Sequence, residues 1–173
     1  MAKILLTWLL LSIGVCLYSN SQANEDISVN NREYQLKTAY LLHFAELTEW
    51  PELKPVTICL EGSSALRTYL PILEGMKVNN NAVHVIVGEY RPNNDCRILF
   101  LSELTALTKP IREQAKIRHI LLVSDAENFA VNGGMIQFSL RDNKLKLVVN
   151  LSSVKDAGLK LSSKLLRMAE ILE

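Results

Sequence analysis

Three histidines, three cysteines and eighteen carboxylates are the raw material for chemistry in this chain of 173 residues. His43, His84 and His119 are widely spaced. None sits in an HExxH or paired-histidine pattern, so no metal site is indicated. The chain contains no GxSxG elbow and no GxGxxG turn, and no pair of carboxylates stands out for acid–base work. Asp125 follows the apolar run ending in Val123-Ser124. Open α/β sheets place ligand-binding residues at such a strand end, although an Asp there also serves as a turn or helix cap. Gly62-Ser63-Ser64 follows a second apolar run, Val56 to Leu60. A strand–Gly-Ser–helix junction presents backbone N–H groups to an anion. It lacks the lysine and glycine spacing of a P-loop, and a serine cap is the competing assignment. Gly62, Ser63 and Asp125 therefore outline one candidate ligand crevice. These residues point to a binding protein without cofactor or metal, not to an enzyme.

The elements that must position these groups are legible in the hydrophobic pattern. Leu36, Ala39, Tyr40, His43, Phe44 and Leu47 follow the spacing of one helix face. Asn30 or Asn31 is the expected cap, Asn24 to Asn30 a loose arm, and Trp50-Pro51 the stop. Short apolar strands are expected at 56–60, 76–78, 83–87, 96–101 and 120–123. A helix is expected over 65–73, and another from a Ser102 cap to Ile117, kinked near Pro110. Apolar strands separated by helices indicate a parallel sheet covered on both faces. The pattern then changes to alternation over 135–140 and 145–149, joined by Asp142-Asn143, which predicts an antiparallel hairpin at the sheet edge. Ser152 or Ser153 opens a short helical turn, and Ser162 or Ser163 caps a closing helix through Leu172. The fold class is thus α/β: a single domain with a mostly parallel sheet flanked by helices, a C-terminal hairpin and a closing helix.

Composition bounds the function. Apolar residues make up 49%, which suits a packed core. The net charge of +1, with no dense Lys/Arg cluster, excludes a typical nucleic-acid binder. Residues 1–23 read as a secretory signal peptide: Lys3, an apolar run from Ile4 to Leu17, and small residues Ser21 and Ala23 before the cut. An uncleaved anchor is the alternative. Val15 before Cys16 argues against a lipoprotein signal. Residues 24–173 then form an exported domain, periplasmic in a bacterium. Only Cys59 and Cys96 remain in it, a candidate disulfide in an oxidising compartment, with two buried free thiols as the alternative.

Several stretches resemble one family. They are Tyr40-Leu41-Leu42-His43-Phe44 through Glu49-Trp50-Pro51, Ile58-Cys59-Leu60-Glu61-Gly62, Cys96-Arg97-Ile98-Leu99-Phe100 and Val123-Ser124-Asp125. Phe129-Ala130, Gly133-Gly134-Met135-Ile136, Asn150 and the run from Ala157 to Leu166 complete them. Over about Tyr34 to Leu172 the chain is similar to the YfiR-like proteins, periplasmic repressors of YfiN-type membrane diguanylate cyclases. The resemblance implies a non-catalytic protein that binds the periplasmic domain of an inner-membrane diguanylate cyclase and lowers cyclic-di-GMP and biofilm formation. It also implies an outer-membrane lipoprotein that sequesters the repressor, a homodimer, and a bond between Cys59 and Cys96. Some relatives carry a second cysteine pair near the loop where this chain has Gly133-Gly134, so redox control through that loop does not transfer. The expected partner surface is the hairpin and following turn, with Val154, Asp156, Lys160 and Ser162 as contacts; the alternative is a core Val154 beside solvated polar residues. A second functional class stays open, a periplasmic small-ligand or sensory module serving another membrane receptor, with its ligand near Gly62, Ser63 and Asp125.

Overall fold

The computed structural model describes residues 20–172, with side chains from residue 31. The chain divides into two compact units, residues 1–33 and 34–173. The leader expected over residues 1–23 lies outside the described residues, apart from the backbone of its last four. Helix α1 (Asn20–Leu47) is continuous, so the loose arm expected at 24–30 and the cap at Asn30 or Asn31 are replaced by helix. No Gly or Pro interrupts residues 20–47, and helix propagates readily from an already nucleated segment.

In the second unit α1 leads into β1 (Thr48–Glu49), β2 (Thr57–Glu61) and the single turn α2 (Leu66–Tyr69), which continues as 3-10 helix through Leu73. Next come β3 (Lys77–Val78), β4 (Asn81–Ala82), β5 (His84–Val87), β6 (Ile98–Leu101), α3 (Lys109–Arg118) and β7 (Leu121–Ser124). The chain finishes with β8 (Ile136–Arg141), β9 (Lys144–Asn150), α4 (Leu151–Asp156), β10 (Lys160–Leu161), α5 (Ser163–Leu166) and β11 (Ala169–Leu172). The main sheet has the order β11-β9-β8-β7-β6-β2-β5. Strands β5, β2, β6, β7 and β8 are mutually parallel, and β9 runs antiparallel to β8. Every residue of β6 and β7 is buried, as strands covered on both faces must be. Phe44 of α1 stacks on Phe138 of β8 at 5.7 Å between centroids, and Tyr40 lies 6.0 Å from the same ring. This aromatic contact seats the helix on the sheet. The α/β class expected from the pattern is the class observed.

Three local expectations are corrected. Pro110 does not kink a long helix begun at Ser102. It lies in the first turn of α3, where its missing N–H costs nothing, and the Thr108 hydroxyl caps that turn by accepting the Ile111 N–H. Asn150, not Ser152 or Ser153, caps α4 by accepting the Ser153 N–H at 2.9 Å. The closing helix is one turn, capped by Ser162 through the Leu165 N–H. The apolar residues beyond it form β11, parallel to β9. The hairpin therefore lies one strand inside the edge.

Candidate functional site

The carboxyl ends of β2, β6 and β7 carry the crevice outlined by Gly62, Ser63 and Asp125. Strand β6 lies between β2 and β7, so the Gly62 and Asp125 strands are two spacings apart, roughly 10 Å. Ser102 fills the gap. Its hydroxyl donates to the Glu61 carbonyl at 2.7 Å, and a Cβ on Gly62 would meet the Ser102 Cβ at 3.0 Å. Gly62 needs its freedom for a φ of +90°, and its carbonyl accepts from Arg67 Nη1 at 2.8 Å. Ser63 is exposed, and Ser64 accepts the Leu66 N–H. Asp125 is paired: Lys37 Nζ of α1 donates to its Oδ2 at 2.6 Å. Lys37 is only 4% exposed and lies 4.8 Å from the centre of the Tyr34 ring, which stacks on Tyr69. The three expected crevice residues are thus not brought into one open site. The missed partner, Lys37, had a signal: a lysine four positions from Leu41 on the apolar side of a helix needs a buried counter-charge.

Beside this end, the Glu61 carboxyl is pushed above its ordinary pKa by burial and also by the nearby charge of Glu89, against the pull of the Tyr90 backbone N–H that donates to it. The Tyr90 hydroxyl is buried without a hydrogen-bond partner among the described residues.

The opposite end of the sheet carries a second constellation. β1 and β10 form an antiparallel ribbon that sets Thr48 against Leu161 and Glu49 against Lys160. The Ser162 N–H extends it by donating to the Leu47 carbonyl at 2.8 Å. Below the ribbon, His119 Nδ1 donates to the Ala157 carbonyl at 2.8 Å. A Cβ on Gly158 would meet that imidazole at 3.2 Å and Pro51 at 3.7 Å. The turn after α4 is thereby pressed against the Trp50-Pro51 corner.

A cavity of about 360 Å³ opens beside the corner, lined among others by Thr48, Trp50, Glu52, Leu53, Lys54 and Arg97. Arg97 is buried, and its Nη2 donates to the Glu52 carbonyl at 2.9 Å. Burial lowers the pKa of this guanidinium, while Asp95 and Glu52 oppose the shift. Thr48 Oγ1 and Trp50 Nε1 are buried without a partner among the described residues, an arrangement that costs about 1–3 kcal/mol per group. The Glu52 carboxyl, held below its usual pKa by its hydrogen bond and charge pairing with Lys54, and the wholly exposed Leu53 stand at the rim. In the sequence Trp50 stands out as part of the helix stop and Arg97 as a family-like position, but nothing local marks a tryptophan and an arginine 47 positions apart as neighbours.

The expected partner residues divide. Val154 is completely buried and belongs to the core, because an apolar side chain on the inner side of a six-residue helix packs before it binds. Asp156 is exposed and faces Lys116 at 3.4 Å. Lys160 is exposed on the ribbon, and Ser162 is half-buried as the α5 cap. Cys59 and Cys96 form the disulfide that the family resemblance implied, with 5.8 Å between Cα atoms across 37 residues of chain. Both are buried, and Arg97, which lines the cavity, follows Cys96 directly in the chain. Among the described residues no group of three His, Cys, Asp or Glu is placed to hold a metal ion. None of their helices is long and apolar enough to cross a membrane.

A family model described as YfiR/HmsC-like matches residues 34–170. The match begins at Tyr34, where the second compact unit begins, and takes in the whole main sheet except the end of β11. No curated protein matches the chain significantly.

Proposed function

The chain belongs to the YfiR/HmsC-like family, and from that membership we propose that it represses an inner-membrane diguanylate cyclase by binding the enzyme's periplasmic domain. The family is one of periplasmic regulators of diguanylate cyclase signalling. The observation that carries the proposal is the extent of the match, 34–170, which spans nearly the whole compact unit. The Cys59–Cys96 bond supports it, since such a bridge persists in an oxidising compartment. The protein acts by stabilising the inactive conformer of its partner. Moving a two-state equilibrium from mostly on to mostly off takes about 5 kcal/mol of differential affinity. An outer-membrane lipoprotein sequesters the repressor and releases the cyclase, and the repressor works as a homodimer. Asp156 and Lys160 contribute to the contact face. Charge reversal at both positions is expected to weaken co-purification with the cyclase at least tenfold. Unchanged capture would remove these residues from the interface.

A second reading, a small-ligand sensory module, is favoured by one observation. The buried Arg97 guanidinium lines the 360 Å³ cavity with no carboxylate within ion-pair distance among the described residues. In this reading the ligand is anionic and sits at that cavity, not at Asp125, which is already paired. Substituting Arg97→Gln would abolish binding of such a ligand and leave cyclase capture intact.

A further inference from the structure

Arg97 is a cation that the fold buries without neutralising. It is 4% exposed, and among the described residues its one hydrogen bond runs from Nη2 to the Glu52 carbonyl at 2.9 Å. Asp95 and Glu52 act on it only through space, because their carboxylates meet Arg118 and Lys54 instead, at 3.3 and 2.8 Å. A guanidinium has five N–H donors and no acceptor, and a buried charge without a counter-ion is costly. Two further side chains of the same cavity share this shortage. Thr48 is 6% exposed, and its Oγ1 is buried without a partner among the described residues, as is Trp50 Nε1. An indole N–H can only donate. The cavity thus gathers three donor side chains that are short of acceptors.

The rest of its lining is of two kinds. Ala45, Val56 and Val78 are buried and apolar. Glu46, Glu49 and Glu52 are exposed. Exposed carboxylates are screened by water and salt, so they leave the buried charge of Arg97 uncompensated at depth. They nevertheless make the mouth unfavourable for a second negative charge. Lys54 does not offset them, since it is engaged by Glu52. The volume, about 360 Å³, lies at the small end for small-molecule sites. The chemistry that fits has one acceptor-rich anionic head for the depth, an apolar body, and no second charge.

We propose that this cavity binds a small aliphatic monocarboxylic acid. Its carboxylate completes the donor set of Arg97, Thr48 and Trp50, and its chain lies against Ala45, Val56 and Val78. The inference rests on the sensory reading above and names the ligand class of that site. A carboxylate is the natural match to a guanidinium, which can present two parallel N–H groups to its two oxygens. A phosphate or a dicarboxylate would bring the extra charge that the three glutamates oppose. A neutral amide would keep the shape and forfeit the ion pair.

The test is calorimetric titration of the exported protein with butyrate, pentanoate and hexanoate. Pentanamide serves as the neutral control and glutarate as the diacid control. Trp50 is the only tryptophan beyond residue 23, so its fluorescence reports binding at this cavity. We expect affinity to rise roughly fourfold per buried methylene along the series. Pentanamide should bind about tenfold or more weakly than pentanoate, as the loss of a charged partner requires, and glutarate should also bind more weakly. Pentanoate should change the Trp50 emission, and Arg97→Gln should abolish that change. Thr48→Val guards against a folding defect at Arg97. It deletes a hydroxyl that has no partner, so it should keep or raise the melting midpoint of the free protein while weakening pentanoate binding. Equal affinity for pentanoate and pentanamide, or undiminished binding by Thr48→Val, would overturn the assignment. Glutarate binding more tightly than pentanoate through Arg97 would overturn the ligand class and leave the sensory reading standing. No heat and no change in Trp50 emission with any of these acids would overturn the proposal, and the same silence with inorganic phosphate would remove the sensory reading as well.

Discussion

Lys37 is the residue on which the helix–sheet junction turns. Its ammonium is almost wholly buried against Asp125, so removing it strands a partly buried carboxylate. Lys37→Ala should cost about 3 kcal/mol in urea unfolding, because breaking one half of a buried pair is penalised more than replacing both halves. Lys37→Met combined with Asp125→Asn should recover much of that loss, and equal losses for single and double variants would show that the pair is not coupled. Glu61 yields a second prediction. Its pKa is raised in the folded state by burial, so the folded chain binds the proton more tightly than the unfolded chain. Stability is then greatest below the ordinary carboxylate range and falls as pH rises from there through the folded pKa. Glu61→Gln keeps an acceptor for the Tyr90 N–H and should raise the melting midpoint at pH 7 while changing little at pH 4. Unequal legibility at this scale has a physical reason. Asp125 was visible because a strand end is a local pattern. Lys37 lies 88 positions away, and no local pattern links a helix lysine to that strand end.

At the scale of elements, the Gly133-Gly134 loop shows two different uses of one residue type. Gly133 takes a φ of +94° and turns the chain toward β8. Gly134 has another task. A Cβ there would lie 2.2 Å from the Phe129 ring, and Phe129 is fully buried. Gly134→Ala should therefore cost about 3 kcal/mol by overpacking, measured by thermal melting. A cost no larger than that of an exposed substitution would mean that Phe129 has room to move. The hairpin turn was legible because Asp142 and Asn143 tolerate the left-handed conformation they adopt, φ 52° and 55°. The last element was not. Ala169, Ile171 and Leu172 fit helical spacing as well as strand alternation, and the choice was made by the free edge of β9, a tertiary fact absent from any local window.

Across the whole molecule, the α/β class was legible because wholly apolar strands in regular alternation with helices leave few other folds. The cavity at Trp50 and Arg97 was not, because it is assembled from a helix end, a two-residue ribbon and the start of a distant strand. The disulfide links these scales. Closing 37 residues of chain, it restricts the unfolded ensemble. Replacing Cys59 and Cys96 together by Ser should cost up to about 4 kcal/mol. Denaturant titration checks this, and an unchanged midpoint would show that packing alone holds the β2–β6 junction. Function at this scale is a statement about where the protein acts and on what. The most direct measurement is cellular cyclic-di-GMP in the native host after deletion of the gene, with complementation by the full chain or by residues 24–173 kept in the cytoplasm. The account predicts a rise on deletion, return to the original level with the full chain, and no return with the cytoplasmic form. Levels that stay flat on deletion, or that the cytoplasmic form restores, would contradict periplasmic repression of a membrane cyclase.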